Sequence, residues 1–339
     1  MKKTCLLSLL SIIFFTVSAQ HISKEDKNTL RQQEDILKNY SNQLVKNDTP
    51  LVRFTNDSLF TRMLVKALKT PHSFYFPFDS LQTISKLYSP DSSFRIFTWQ
   101  MVVNDNLTRQ HGAIQMKTYD GSLKLFPLID KSDNTDNITD TAGNNKGWIG
   151  AVYYKIIENR SSNQNYYTLL GYDENNSRSN RKIIEVLSFS NDEPLFGGRY
   201  FSYAEDSVFK SATSRYLMEY KKTAGARLTY DDDLQMIIAE HLESETGEPQ
   251  KKWTYIPDGD YEGFKWKNGQ WVHVEKVFNQ ITAEGKAPMP SPVKDAAGNT
   301  IEENLKDNVT DEKPAAEEKV IPVAQKKVPA KKPKLKKNK

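Results

Sequence analysis

The spacing of apolar residues predicts a helix near the start of the chain. Over residues 23–46, leucines recur every seven positions at Leu30, Leu37 and Leu44, which places them on one face of a helix. Ser23 is followed three residues later by an acid, a pairing that is typical of a helix N-cap. The leucine face needs an apolar partner elsewhere in the chain.

Two further helices are predicted before the pattern changes. The polar residues 47–50 end the first helix. A second helix is predicted to begin near Asn56 or Asp57 and to end before Pro71. A third, shorter one is predicted after Asp79, with the apolar positions Leu81, Ile84 and Leu87. The first two helices are expected to form a hairpin that covers another layer.

Beyond residue 90 the pattern becomes that of strands, with short runs rich in aromatic and β-branched residues. The polar segment 131–146 is predicted to be a long loop, and residues 257–260 and 268–269 to be turns. Strands are predicted at 94–102, 113–118, 122–128, 149–157, 164–172, 182–189, 195–203, 216–221, 227–230, 235–243, 253–256, 263–266 and 271–277.

The fold class follows from what separates these strands. No helical period lies between them, and without crossover helices a sheet is mainly antiparallel. We therefore predict a mainly β (α+β) protein, in which an N-terminal helical hairpin packs on a large antiparallel sheet that is a sandwich or barrel-like. The predicted segments are a signal peptide (1–19), a helical segment (20–90), an antiparallel β domain (91–282) and a tail (283–339).

The first nineteen residues have the pattern of a cleavable secretory signal peptide. Lys2 and Lys3 precede an apolar run over residues 6–17, which is shorter than the about 20 residues that span a bilayer. Ala19 fits the small-residue cleavage rule, so the mature chain is expected to begin at Gln20 without a transmembrane segment. The predicted location is the periplasm, the outer surface or the medium.

Cysteine and charge change this picture in two ways. The only cysteine, Cys5, lies in the predicted signal peptide, so the mature chain has no disulfide and no thiolate nucleophile or metal ligand. Residues 283–339 are rich in proline, alanine, lysine and glutamate, a composition that is typical of disorder. The chain outside residues 323–339 has more acidic than basic residues, whereas residues 323–339 contain eight lysines and no acid: Lys326, Lys327, Lys331, Lys332, Lys334, Lys336, Lys337 and Lys339.

The lysine-rich tail predicts an anionic partner. It has no aromatic residues on which bases could stack, so nucleic acid is not expected. Anionic envelope surfaces, such as lipid headgroups, suit an exported protein better, and a solubilising or spacer role remains the alternative.

Few residues suggest catalysis, and none suggests a metal or a cofactor. The five histidines lack the spacing of a zinc site. A histidine in a strand can act as a general base when a carboxylate orients it, which makes His241, with Glu240 and Asp258, a speculative catalytic group. A structural role for His241 is the alternative. The aspartates at 231–233 and 257–260 do not match a calcium-loop spacing and are interpreted as turn residues.

Several strand motifs resemble an uncharacterised family of exported proteins of Bacteroidota-type bacteria. The motifs are Tyr-Tyr-Thr-Leu-Leu-Gly-Tyr-Asp (166–173), Arg-Lys-Ile-Ile-Glu-Val-Leu-Ser-Phe (181–189), Pro-Leu-Phe-Gly-Gly (194–198), Ala-Glu-His-Leu (239–242) and Tyr-Ile-Pro-Asp-Gly-Asp-Tyr-Glu-Gly-Phe (255–264). The resemblance covers about residues 25–280 and implies export and one folded body, but no activity. It also implies O-glycosylation at Asp-(Ser or Thr)-apolar motifs, for which the candidates are Ser58, Ser80, Thr141 and Ser207.

These observations favour a non-enzymatic binding or scaffolding module of the cell envelope. A secreted hydrolase of a polysaccharide or ester is the first alternative, and a carrier of a small apolar ligand inside a barrel is the second. The oligomeric state is left open.

Overall fold

The computed structural model describes residues 22–104 and 106–278. The predicted signal peptide and the lysine-rich tail lie outside these residues. Within them, no helix is long and apolar enough to cross a membrane. The described chain is mainly β, with two N-terminal helices packed on antiparallel sheets, as the sequence predicts.

The first helix, α1 (Lys24–Lys46), forms as its leucine pattern predicts. The Ser23 hydroxyl accepts the backbone N–H of Asp26 at 3.0 Å and caps its N-terminus. Leu30, Leu37 and Leu44 are fully buried. They pack against the second helix and against one face of the first sheet, so the predicted apolar partner exists.

The second helix, α2 (Pro50–Leu68), begins earlier than predicted. The sequence placed its start near Asn56 or Asp57 because Pro50 was taken as part of a stop signal, which is wrong. Pro50 occupies the first turn, where the missing N–H costs nothing because it would have no helical partner, and where the fixed φ suits the helix. The linker between the helices is therefore only residues 47–49.

The predicted third helix does not form. Phe78 has a left-handed backbone with φ of 56°, and a turn carries the chain into an edge strand, β1 (Ser85–Tyr88). Leu81 and Ile84 are still buried beneath the helices. A short helix is expensive to nucleate, whereas the following residues, Ser85–Tyr88, gain a ladder of hydrogen bonds with the next strand.

The remaining strands follow in chain order. They are β2 (Phe94–Asn104), β3 (Leu107–Met116), β4 (Lys124–Ile129), β5 (Gly143–Asn144), β6 (Val152–Ser161), β7 (Gln164–Asp173), β8 (Ser179–Ser190), β9 (Glu193–Phe196), β10 (Phe201–Ser202), β11 (Arg215–Lys221), β12 (Leu228–Asp231), β13 (Met236–Ser244), β14 (Tyr255–Lys267) and β15 (Gln270–Val274). A short 3-10 helix (Lys252–Thr254) precedes β14.

The described strands form three sheets that stack in layers rather than closing into a barrel. Sheet I has the order β1-β2-β3-β4, and sheet III has the order β10-β15-β14-β13-β12. In sheet II, with the order β5-β9-β8-β7-β6, the long strand β8 pairs with β9 along one half and with β11 along the other. All neighbouring strands are antiparallel except β10 and β15.

Three hydrophobic cores separate four layers. The helices cover one face of sheet I, sheet I packs on sheet II, and the other face of sheet II packs on sheet III. Adjacent residues of β7 show that both faces of sheet II are buried. Leu169 lies in the core toward sheet I, and Leu170 lies in the core toward sheet III. The sandwich of sheets II and III holds the site described below.

Several predicted boundaries inside the β region are wrong: β3 begins six residues before the predicted strand 113–118, and two further differences concern glycines. The predicted strand 195–203 is divided between β9 in sheet II and β10 in sheet III, because Gly197 and Gly198 adopt positive φ angles of 84° and 119° between them. The predicted turn at 257–260 is instead the interior of the long strand β14, where Gly259 has a φ of 95°.

Arg95 is a charged side chain buried between the helical layer and sheet I. Its guanidinium donates to the backbone carbonyls of Ser73 and Phe76 at 2.8 and 2.5 Å. Burial lowers the pKa of Arg95 to about 10, so it stays charged at neutral pH. No carboxylate of the described chain pairs with it, and the guanidinium instead lies 4.7–5.8 Å from four aromatic ring centres, those of Phe74, Phe78, Tyr88 and Phe97.

Candidate functional site

A cavity of about 510 Å³ opens at the side of the sandwich formed by sheets II and III. β11 supplies one wall, and β13, β14 and the 3-10 helix supply the other. Its lining includes Tyr203, Lys210, Tyr216, His241, Leu242, Lys252, Tyr255, Glu262 and His273. This size lies in the range of small-molecule and cofactor sites, which is about 300–1,000 Å³.

His273 lies at the inner end of this cavity between two carboxylates. Its Nδ1 is 2.9 Å from Asp206 Oδ1, and its Nε2 is 3.1 Å from Glu262 Oε2. The side chains of His273 and Asp206 are only 4% and 1% exposed. With an acceptor at each ring nitrogen, the imidazole can satisfy both contacts only as a cation that donates twice.

The pKa values of this cluster agree with that charge state. Burial lowers the pKa of His273, but hydrogen bonds and charge from Glu262 and Asp206 outweigh burial and raise it above the ordinary value. For Glu262, burial raises the pKa, but the hydrogen bonds from His273 and Tyr216 lower it by more. The pKa of Glu262 is therefore below its ordinary value. Both directions favour a cationic His273 paired with an anionic Glu262, in agreement with the hydrogen-bond geometry.

Tyr216 completes the cluster from β11. Its hydroxyl donates to Glu262 Oε1, so each oxygen of this carboxylate has a protein donor. Burial, followed by the negative charge of Glu262, raises the pKa of Tyr216 well above its usual value, which keeps the phenol a donor. Lys210 Nζ lies 3.8 Å from Asp206 Oδ2 and adds a second positive charge. The cluster thus contains two cations and two anions.

His241 and Asp258 meet at the rim of the same cavity. His241 Nδ1 is 2.6 Å from Asp258 Oδ2. The contact depends on a β-bulge, because Glu240 pairs with Tyr261 and Leu242 pairs with Pro257, which leaves residues 258–260 opposite His241 alone. Among the described residues, His241 Nε2 has no hydrogen-bond partner.

Of the three residues proposed as catalytic from the sequence, the structure therefore brings two together. Glu240 does not join them, because its Oε2 accepts the backbone N–H of Arg227 at 2.6 Å. Burial raises the pKa of Asp258, but hydrogen bonds from the Asp260 backbone and from His241 outweigh it and lower the pKa overall. An anionic Asp258 can orient the His241 ring, which is the geometry that a general base requires.

Sequence reasoning missed the buried cluster of Asp206, Tyr216, Glu262 and His273. One signal was present, because His273 stands two residues after Trp271 in a strand and so shares its face. Trp271 is fully buried, and His273 is buried with it. The two carboxylates carried no such signal, since Asp206 comes from the loop between β10 and β11 and Glu262 from β14.

Metal ligation finds no support in the described chain. No group of three or more histidine, aspartate or glutamate side chains between residues 22 and 278 is placed to hold a metal ion. The aspartate oxygens are used locally: in the turn after β12, Asp231 Oδ1 accepts the N–H groups of Asp233 and Leu234, and at the bulge within β14, Asp258 Oδ1 accepts that of Asp260.

The candidate glycosylation residues occupy different environments. Ser58 on α2 and Ser207 in the loop between β10 and β11 are exposed, and the hydroxyl of Ser207 donates to Glu275. Ser80 and Thr141 are half-buried, and the Thr141 hydroxyl donates to the Asn137 carbonyl. Exposure therefore favours Ser58 and Ser207 as acceptors over Thr141.

Comparison with protein-family models, curated protein sequences and solved structures finds no match to this chain. The function must therefore be argued from the geometry of the cavity.

Proposed function

We propose that the protein is an exported, non-enzymatic binding module and that the cavity beside β11 is its binding site. Its ligand offers hydrogen-bond donors toward the remaining acceptor sites of Glu262, since each carboxylate oxygen can accept a second bond, and apolar surface toward the rings of Tyr203 and Tyr255. Scaffolding within the cell envelope would be the consequence of such binding. The proposal has two parts: export, which residues 1–19 predict, and binding, which the geometry of the cavity supports.

The observation that carries the proposal is the pairing of the charged groups at the inner end of the cavity. His273 is held on both sides, and both oxygens of Glu262 accept bonds from protein donors. Proton transfer in catalysis needs an acid or base that can exchange its proton with a substrate. A set of fixed, mutually satisfied charges instead presents an unchanging pattern, which suits recognition.

A hydrolase is the second candidate, and one observation favours it. The pair His241 and Asp258 lies at the cavity rim with the histidine Nε2 unbonded in the described chain. This imidazole could accept a proton from an attacking water. A carrier of an apolar ligand is less favoured, because the cavity is lined by several charged residues and the described sheets form no closed barrel.

Glu262→Gln is expected to weaken ligand binding about fivefold or more, because a charged acceptor is replaced by a neutral one of similar shape. Short peptides and neutral oligosaccharides would be screened by shifts of backbone NMR signals, and the affinity of the probe that binds would then be compared. Glu240→Gln is the matched control, since Glu240 lies on the same sheet but bonds Arg227.

The proposal requires that the shifted signals come from residues that line the cavity. Shifts elsewhere, or equal affinities for the Glu262→Gln and Glu240→Gln variants, would contradict it. Turnover of an oligosaccharide or ester that disappears in His241→Ala would establish the hydrolase instead.

The lysine-rich tail is proposed to tether the protein to anionic envelope surfaces. Each lysine beside such a surface contributes up to about 1 kcal/mol, and screening shortens its reach to roughly 8 Å at physiological salt. Full-length protein is expected to sediment with anionic vesicles at low salt and to be released as salt rises. A chain ending at Pro322 is the control, and equal sedimentation of both chains would refute the tether.

A further inference from the structure

β11 is an edge strand over most of its length. It pairs with the first half of β8, from the Arg215–Glu185 pair to the Lys221–Ser179 pair, and with no other strand of the described chain. An edge strand presents a row of backbone groups that can pair with another extended chain. β11 therefore differs from β7 and β8, which have neighbours on both sides.

The direction of the free backbone groups follows from two hydrogen bonds. In an antiparallel pair, alternate residues direct both their N–H and C=O groups toward the partner strand. The Arg215 N–H points away from β8 to the carbonyl of Thr139, whereas the Lys222 N–H points to Arg178, just before β8. The backbone N–H and C=O groups of the odd-numbered residues of β11 thus point away from β8. These residues include Leu217 and Glu219.

The backbone groups of Leu217 and Glu219 have no partner among the described residues. Thr139 covers the edge at Arg215, and the 3-10 helix lies against the strand on the other side of this gap. Leu217 and Glu219 both line the cavity. The open groups therefore face the site proposed above, across from His241 and Leu242.

Most of the charges of the described residues around this opening are paired, and the exception is Lys252, which lines the cavity and whose Nζ donates to the Tyr255 hydroxyl at 3.1 Å. Glu219 is held by Arg181 at 2.9 Å, and the other pairs are Arg215 with Glu185, His241 with Asp258, and His273 with Glu262. A highly charged ligand would find little unpaired charge here apart from Lys252. The pairing instead suits a segment without net charge, whose affinity comes from main-chain hydrogen bonds and apolar contacts.

The loop beside the cavity supplies an apolar contact. Val208 and Phe209 are 66% and 80% exposed, and the next two residues, Lys210 and Ser211, line the cavity. Two adjacent large apolar side chains with such exposure are costly in isolation and are typical of contact surfaces. This loop therefore offers exposed apolar side chains next to residues that line the cavity.

We infer that the ligand of the cavity is an extended polypeptide segment without net charge, which adds to β11 as a further strand. This inference rests on the binding function proposed above and names its ligand class. Pairing with Leu217 and Glu219 supplies main-chain hydrogen bonds, and alternate side chains of the segment enter the cavity. Because the open edge lines a cavity, a single extended segment fits it better than a second folded copy does.

The test uses a fluorescent hexapeptide of alternating threonine and valine, capped at both ends. Anisotropy is expected to show saturable binding to the full-length protein, and amide exchange at Leu217 and Glu219 is expected to slow. The same peptide N-methylated at every residue is the matched control, because it keeps the side chains but cannot form a strand.

Two variants at one position isolate the backbone contribution. Leu217→Pro removes an N–H that makes no bond to β8, whereas Leu217→Ala keeps this N–H, and both shorten the side chain. Leu217→Pro is expected to bind the hexapeptide about tenfold more weakly than Leu217→Ala, which corresponds to the net loss of about one hydrogen bond. Circular dichroism verifies that both variants are folded.

The inference is overturned if the N-methylated peptide binds equally well, or if the hexapeptide fails to bind while an oligosaccharide binds in a Glu262-dependent way. In the second case the cavity is a binding site, but for another ligand class. A concentration-dependent dimer that buries the β11 edge in sedimentation experiments would also overturn it. Failure of every probe, with no shift at any lining residue, contradicts the binding function itself.

Discussion

Replacing Arg215 with methionine is expected to lower the free energy of unfolding by about 3–5 kcal/mol. Arg215 Nε and Glu185 Oε2 are 2.7 Å apart, and the two side chains are 1% and 0% exposed. Removing the arginine leaves the Glu185 carboxylate buried without a counter-charge. It also frees the carbonyls of Ile138 and Thr141, which accept from Arg215 Nη1. Urea denaturation monitored by circular dichroism measures the loss.

Arg181→Met is the matched control for Arg215→Met. Arg181 also pairs with the residue directly opposite on the same two strands, Glu219, but these side chains are 25% and 14% exposed. Arg181→Met should lower the free energy of unfolding by about 1 kcal/mol or less, because water screens a partly exposed pair. Adding Glu185→Gln to Arg215→Met is expected to restore most of the stability, since no buried charge remains. Similar losses for the two arginine variants would refute this account.

Replacing Asp173 with asparagine is expected to stabilise the protein at pH 7 by up to about 3 kcal/mol. Burial, chiefly, raises the pKa of Asp173 from 3.8 to about 6. A shift of about two pKa units corresponds to roughly 3 kcal/mol at a pH above both values. Oδ1 accepts the N–H of Asn175 and the amide of Gln110, and an asparagine oxygen can accept the same two bonds.

The sign of the pH dependence follows from this pKa. Between about pH 4 and 6 the folded state keeps a proton on Asp173 that the unfolded chain releases, so this residue makes the wild type less stable as pH rises. Thermal unfolding of the Asp173→Asn variant should lack this decline, and the two proteins should converge below about pH 4. Asp133 is exposed and lines the same surface cleft as Asp173. Asp133→Asn is the control and should leave the decline in place.

Only part of the candidate site was predictable from the sequence. His241, Glu240 and Asp258 were proposed together as a catalytic group, but the turn expected at residues 257–260 was wrong, and a β-bulge in a continuous strand brings His241 and Asp258 together. Glu240 does not belong to this pair, because neighbouring residues of a strand point to opposite faces and Glu240 bonds Arg227 instead. The cluster around His273 was missed because its members come from four separate parts of the chain.

The sequence by itself determined the elements that depend on local pattern. Residues close together in the chain determine the leucine face of α1, the capping by Ser23 and the predominance of antiparallel strands. Only the tertiary structure decided the order of the layers, the open edge of β11 and the burial of Arg95, Arg215 and Glu185. A charged residue inside an apolar strand has no local signature, because its partner or its aromatic surroundings come from distant segments. Pairing between such segments is set by the packing of the whole chain.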